Sequence, residues 1–222
     1  MPINKALSDI SKMLNKQSDQ KKQKLIAKWL SKYAYYLTTE TSFKPSFLKR
    51  YQRGEIIMVD LGYRIGNEEG GPHYAVVLDK NNSPHSGIIT ILPLSSKKPT
   101  YTPNRYTLDL GSEIYDALNE KANKAFNNTF QVSSVSNNTV SSSAIASATV
   151  TASFSNNSFH KIMNEINLMK SGSIALISQI TTVSKIRIIK PKRTTDPLSG
   201  IRLSDETLNK IDEKIIELYT GK

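Results

Sequence analysis

Apolar residues keep a helical rhythm at the start of this chain, a strand rhythm through its middle and a helical rhythm again near its end. Ile3, Leu7, Ile10 and Leu14 recur three and four positions apart, and after a polar break Leu25, Trp29, Tyr33 and Leu37 resume the stripe. Such spacing lines up side chains on one helical face, so two helices or one interrupted helix are predicted over residues 3–36. The pattern changes between Pro45 and Gly54. Glu55 to Leu61 (EIIMVDL) and Tyr74 to Leu78 (YAVVL) are short, apolar and rich in β-branched residues, and a glycine-rich loop separates them. They read as a pair of strands. Gly87 to Leu94 (GIITILPL), Tyr106 to Leu110 (YTLDL), Ser173 to Ile180 (SIALISQI) and Ser184 to Ile189 (SKIRII) bring the set to about six, which suggests a small, strongly bent barrel or sandwich. In SDETLNKIDEKIIELY, Ser204 precedes acids in the first turn, and Leu208, Ile211, Ile215 and Leu218 have helical spacing. An amphipathic C-terminal helix is predicted there.

One stretch breaks the pattern. From Phe126 to His160, twenty of thirty-five residues are Ser, Asn or Thr and none is charged. So little apolar surface rarely offsets the entropy of ordering, which predicts a mobile insertion. Its segment TVSSSAIASATVTASF nevertheless alternates well enough for a β-hairpin, and helices are predicted on either side near 113–125 and 159–170. The chain therefore divides into a helical extension, 1–45, and an α+β, mainly β domain, 46–222, carrying a low-complexity insertion at about 113–170.

Charge sharpens this division. Thirty Lys and Arg against nineteen Asp and Glu give a formal net charge of +11 over 222 residues. Residues 1–54 hold ten Lys, two Arg and three acids, so the extension carries most of the excess, 12 − 3 = +9. The balance favours nucleic acid, an anionic membrane surface or an acidic protein as partner. No cysteine is present, which excludes thiolate metal sites, disulfides and cysteine nucleophiles. The N-terminus lacks the apolar core of a signal peptide, and no run approaches the roughly 18 apolar residues of a membrane span. A soluble cytoplasmic protein is expected, with no membrane partner.

The candidate chemistry lies at G-N-E-E-G-G-P-H, residues 66–73. Glycines 62, 66, 70 and 71 around Arg64, Glu68 and Glu69 make a loop that can bend sharply. At its exit Pro72 removes a rotor and an N–H, so His73 is expected at a fixed point on the lip of the second strand. A histidine so held can move a proton near neutral pH or stabilise an anion in its charged form. The same residue could also merely hydrogen-bond the loop backbone.

Four segments occur in order: R-G-E-I-I-M-V-D-L from Arg53, the G-N-E-E-G-G loop with A-V-V-L, I-L-P-L-S-S, and G-S-I-A-L-I-S-Q-I-T-T-V-S-K from Gly172. Together they resemble the MazF/PemK toxins of bacterial toxin–antitoxin systems over residues 51–111 and 171–215. The resemblance implies an SH3-like small barrel, commonly a homodimer, that cleaves single-stranded RNA without a metal or cofactor and is held in check by an acidic antitoxin. In that chemistry the ribose 2′-hydroxyl attacks the adjacent phosphorus, leaving a 2′,3′-cyclic phosphate and a 5′-hydroxyl. Position by position, the family's catalytic arginine falls on His73 and its Thr or Ser at the end of the third strand on Ser95, beside Ser96. Its loop glutamate falls on Glu68 and its Gln-x-x-Thr on Gln179. Arg64, Lys97 and Lys98 are the expected backbone contacts. One branch of the family has an aspartate before this Gln, where Ser178 stands here.

Histidine for arginine exchanges a permanent, two-pronged cation for one that titrates near neutrality. Three functional readings stay open: a ribonuclease toxin, a non-catalytic relative that binds RNA or inhibits a protein as gyrase-poisoning toxins do, and a protein whose basic extension is the nucleic-acid arm or a built-in regulator.

Overall fold

The computed structural model describes residues 2–133 and 158–220, with side chains of the third helix described to residue 127. Two helices lead, α1 (Ile3–Lys16) and α2 (Gln20–Thr39). They separate where Asp19 caps α2 by accepting the Lys21 and Lys22 N–H groups at 2.8 and 3.0 Å, which satisfies orphan donors of the first turn. The strands follow: β1 (Ile56–Asp60), β2 (Pro72–Val77), β3 (Ile88–Ser96) and β4 (Thr107–Gly111). Then come α3 (Glu113–Ser133), α4 (158–168), β5 (Ser173–Leu176), β6 (Thr181–Ser184), β7 (Ile188–Lys190) and α5 (Asp205–Tyr219). The fold is α+β, with an antiparallel seven-stranded sheet in the order β4-β5-β3-β2-β1-β7 and β6 beside β3.

β3 is the strand on which the sheet turns. One edge pairs with β2 through Ile91–Pro93, while the other pairs first with β6 through Ile88–Ile91 and then with β5 through Leu94–Ser96. Two half-sheets thus share one strand, and the sheet curls as a small barrel rather than lying open. Both of its faces are covered. Ile57, Val59, Ala75, Val77, Ile89 and Ile91 point to one core with Tyr51, Val183 and Ile188. Their neighbours Ile56, Val76, Leu92 and Leu94 point to the other, against Ile114 and Leu118 of α3, Ile162 and Ile166 of α4, and Leu208 and Ile211 of α5. This two-sided burial explains why β1 to β3 read as nearly unbroken apolar runs.

Buried polar groups hold the helices in place. Lys121 of α3 donates to the carbonyls of Asp196, Pro197 and Ser199, closing a loop before α5. Glu165 of α4, 3% exposed, accepts from the Tyr74 hydroxyl at 2.5 Å and pairs with Lys190. Burial first, and then the Glu165 carboxylate, push the Tyr74 hydroxyl well above the usual phenol range, so it remains a donor. Ser204 caps α5 by accepting the Thr207 N–H at 3.2 Å, as its sequence position predicts.

The structure departs from the sequence reading at several points. Ser173–Ile180 does not stay extended; the strand stops at Leu176 and a 3₁₀ turn, Ile177–Gln179, follows. Ser184–Ile189 is not one strand, because a 3₁₀ turn at Lys185–Arg187 separates β6 from β7. Lys185 is pulled inward there, 2% exposed with its ammonium on the Ser83 carbonyl, a tertiary contact that strand propensity does not register. The helix expected near 113–125 runs on to Ser133. His73 is not on a lip but within β2, opposite Val59, with Pro72 already paired to Asp60. The alternating segment 139–154 lies outside the described residues.

Leu92 is fully buried between sheet and helices, whereas Ile88 on the same strand is 58% exposed. Leu92→Ala should lower unfolding free energy in urea by about 3 kcal/mol, through lost burial and the cavity left behind. Ile88→Ala should stay within about 0.5 kcal/mol of the parent.

Candidate active site

The loop between β1 and β2 is bent by its glycines and pinned at its stem. Leu61 N–H donates to Gly71 O at 2.8 Å and Gly71 N–H to Gly62 O at 2.7 Å, so the two ends form a narrow neck. Gly62 adopts φ +76°, and a Cβ there would stand 2.5 Å from the Trp29 ring, so the backbone lies directly against that indole. The far side of the loop is tied down by Gln179. Its amide donates to Asn67 O at 3.2 Å and its Oε1 accepts the Glu69 N–H at 3.4 Å.

This fixed loop sets the surroundings of His73. Nδ1 donates to the Leu94 carbonyl at 3.1 Å, and Nε2 lies 3.2 Å from Glu69 Oε2. Both neighbours are acceptors, so the doubly protonated ring satisfies both contacts at once. The side chain is 23% exposed, and the Glu69 side chain 31%. His73 is therefore engaged at both nitrogens while its side chain stays partly exposed.

A cavity of about 270 Å³ opens beside this ring, lined by His73, Ser95, Ser96 and Lys98 together with Leu168 to Lys170 from the end of α4. Ser95 and Ser96 come to it because β3 continues past Pro93 to pair Ile174 and Ser173 of β5. Four of the residues singled out in the sequence are thus brought together. Arg64 and Gln179 line a neighbouring hollow of about 130 Å³ with Glu69 and Pro93. Arg64 also donates to the Leu61 carbonyl at 3.0 Å and faces Glu68 at 3.5 Å. Glu68 itself is exposed, with its carboxylate facing Arg64. Lys97 is turned away, bonded to Asp109 of β4 at 2.5 Å. No three His, Asp or Glu side chains converge as a metal cluster among the described residues. Nor is any helix among them long and apolar enough to cross a membrane.

Sequence reasoning missed Glu69. It centred on Glu68, yet the carboxylate against the imidazole is its neighbour, and the available signal was a spacing of four residues before His73 across a turn. It also missed the contact of Trp29 with the loop. A helical stripe tells which residues share a face, not what that face meets.

Residues 52–151 match the model of a family described as PemK-like, MazF-like toxin of type II toxin–antitoxin system. The match takes in β1 to β4, the glycine loop and α3, and stops short of the Gly172–Lys185 segment and of Gln179. No curated protein sequence matches the chain.

The Lys97–Asp109 pair joins the edge of the cavity to β4. The Lys97 hydrogen bond, and then the Gly111 N–H, hold the Asp109 carboxyl below the usual carboxylate range. A carboxyl depressed in the folded state adds stability that is complete above its unfolded pKa of about 3.9 and is lost as pH falls through the folded value. Asp109→Asn should therefore unfold more easily than the parent at neutral pH, and the two urea midpoints should converge as pH falls below the usual carboxylate range.

Proposed function

We propose that the chain, whose residues 52–151 match the PemK-like, MazF-like toxins of type II toxin–antitoxin systems, is a toxin of that kind and acts as an endoribonuclease on single-stranded RNA with His73 and Glu69 as its proton-transfer pair. The observation that carries this reading is the His73 ring, anchored through Nδ1 and facing a carboxylate through Nε2 at 3.2 Å, on the wall of the cavity that holds Ser95.

The pair supplies a closed proton circuit. It starts as imidazolium and carboxylate. The O2′–P bond forms as Glu69 takes the 2′-hydroxyl proton, and the P–O5′ bond breaks as His73 Nε2–H passes to the departing O5′. Glu69 then returns its proton to Nε2 across the direct contact. The products are a 2′,3′-cyclic phosphate and a 5′-hydroxyl, and the requirement for a 2′-hydroxyl accounts for RNA over DNA. During the step the imidazolium also offsets part of the phosphate charge that an arginine would hold permanently. Ser95 offers a hydroxyl to a non-bridging phosphate oxygen, and Ser96 and Lys98 border the same space. Arg64 and Gln179 serve the strand further along, in the adjoining hollow. Lys97, bonded to Asp109, contributes through the field of the site. The reading includes an acidic antitoxin, a homodimer and metal-independent catalysis, with 1–45 as an extension on a domain spanning 46–222.

The same engagement of His73 at both nitrogens supports the alternative, a binding module in which the ring is a structural strut. Incubation with a long single-stranded RNA in EDTA, followed by end-group analysis, separates the two. Catalysis by the pair predicts cyclic phosphate ends, with the rate lowered about 100-fold or more in His73→Ala and in Glu69→Gln at unchanged melting temperature. His73→Arg, which keeps a cation facing Glu69, should keep cleavage. Intact RNA at every pH, or full activity in His73→Ala, would defeat the assignment.

A further inference from the structure

The extension does not hang free of the loop; it walls a second cavity on the loop's other side. Between α2 and residues 60–72 lies a space of about 430 Å³, within the range of about 300–1,000 Å³ usual for small-ligand sites. From α2 it is lined by Leu25, Lys28, Trp29 and Lys32, and from the loop by residues that include Tyr63, Arg64 and Pro72. Pro72 also lines the His73 cavity. The two spaces therefore meet at one residue, immediately next to the proposed proton-transfer group.

The lining combines flat aromatic surface with cationic groups. Trp29 is held rigidly, its ring against Gly62 on one side and the Arg187 guanidinium 5.4 Å from its centroid. Tyr63 is half-buried on the loop. Lys28 is exposed and has no carboxylate within ion-pair distance among the described residues. The two carboxylates of the lining are already engaged, Asp60 by Lys32 at 2.5 Å and Glu68 by Arg64. Bases stacking on aromatic faces, with a cationic track for the phosphates, are how proteins hold single-stranded nucleic acid. A chain leaving the His73 cavity past Pro72 would enter this space with its next nucleotide.

We propose that the cavity between α2 and the β1–β2 loop is a second nucleotide subsite, taking an RNA base against Trp29 and Tyr63 and its phosphate against Lys28 and Arg64. The proposal rests on the ribonuclease reading above. It makes the basic extension part of the substrate groove rather than a separate arm or a cover. Continuity with the phosphate chemistry at His73 favours RNA as the occupant over an acidic peptide.

Trp29 is the only tryptophan in the chain, so intrinsic fluorescence reports on this cavity directly. The full-length protein would be titrated with a randomised 2′-O-methyl oligoribonucleotide, which binds but cannot be cut, while anisotropy of an end label records total binding. The expected result is saturable quenching of Trp29 that follows the anisotropy curve. Lys28→Glu and Tyr63→Ala should each weaken binding about tenfold, the scale of one stacked base or one lost phosphate contact at moderate salt. Lys12→Glu, the same charge change on α1, should leave affinity near that of the parent. RNA that binds by anisotropy with no change in Trp29 emission and normal affinity in both variants would overturn the subsite and leave the ribonuclease reading standing. Quenching by poly-glutamate but not by RNA would assign the cavity to an acidic peptide instead. Absence of any RNA binding, together with absence of cleavage, would overturn both.

Discussion

Asp60 ends β1 with a carboxylate that is almost fully enclosed, its side chain 5% exposed. A buried charge is tolerated when it is paired and hydrogen-bonded, and this one has partners from two directions. Lys32 of α2 bridges it at 2.5 Å and Tyr36 donates to the same oxygen at 3.4 Å, while the other oxygen accepts the Gly62 N–H at 2.9 Å. Burial works against the Lys32 ammonium, but the bond to Asp60 and its charge outweigh it and leave that pKa raised. The backbone carbonyl of Asp60 accepts from Arg187 at 2.7 Å, and Arg187 in turn faces the Trp29 ring. One residue thereby joins α2, the 3₁₀ turn before β7 and the root of the glycine loop. The turn at Gly62, and through it the neck that sets Pro72 and His73 in register with β1, starts from this contact.

With the neck fixed, the character of the site follows from what surrounds one imidazole. Arginine would present several donors to a phosphate and keep its charge at any working pH. Histidine has two nitrogens, and here the Leu94 carbonyl holds one, which leaves a single nitrogen toward Glu69. Glu69 stands beside that nitrogen at 3.2 Å, so the imidazole faces a carboxylate where an arginine would face the phosphate alone. Gln179 matters because it grips the Glu69 N–H and the Asn67 carbonyl, fixing the backbone from which this carboxylate projects.

Much of the architecture was legible from spacing alone. The periods of α1, α2 and α5 and the paired apolar runs of β1 to β3 need nothing beyond local pattern; α5 and the strands bury the face their sequence marks, whereas Ile3 and Leu7 of α1 and Leu25, Tyr33 and Leu37 of α2 stay exposed. What stayed hidden are events decided at long range. Lys185 is drawn onto a carbonyl 102 positions away, which breaks an apparent strand into β6 and β7. Glu165 sits in an ordinary helical sequence and gives no sign that Tyr74 and Lys190 will enclose its carboxylate. For the site, His73 was legible from the glycine loop and proline before it, while Ser95, Ser96 and Lys98 came from the family resemblance, and one cavity is lined by all four. The choice between Glu68 and Glu69 could not be made, since it depends on which way a glycine loop turns, and glycine imposes no preference.

The extension is where this reading of the molecule has most consequence. α1 buries none of its residues, and α2 buries only Ile26, so the hairpin adds little to either core. Its firm contacts are instead concentrated on the loop: Trp29 against Gly62, and Lys32 and Tyr36 on Asp60. A segment kept for stability would be expected to spread its apolar stripe over the barrel, as α5 does with Leu208 and Ile211. One that places its firm contacts at the stem of a glycine loop acts on that loop's position. The same contacts that hold the stem leave Lys28 and the cavity beside Trp29 facing outward. Loop placement and the lining of this cavity are therefore consequences of a single docking geometry, and a change in either one alters the other.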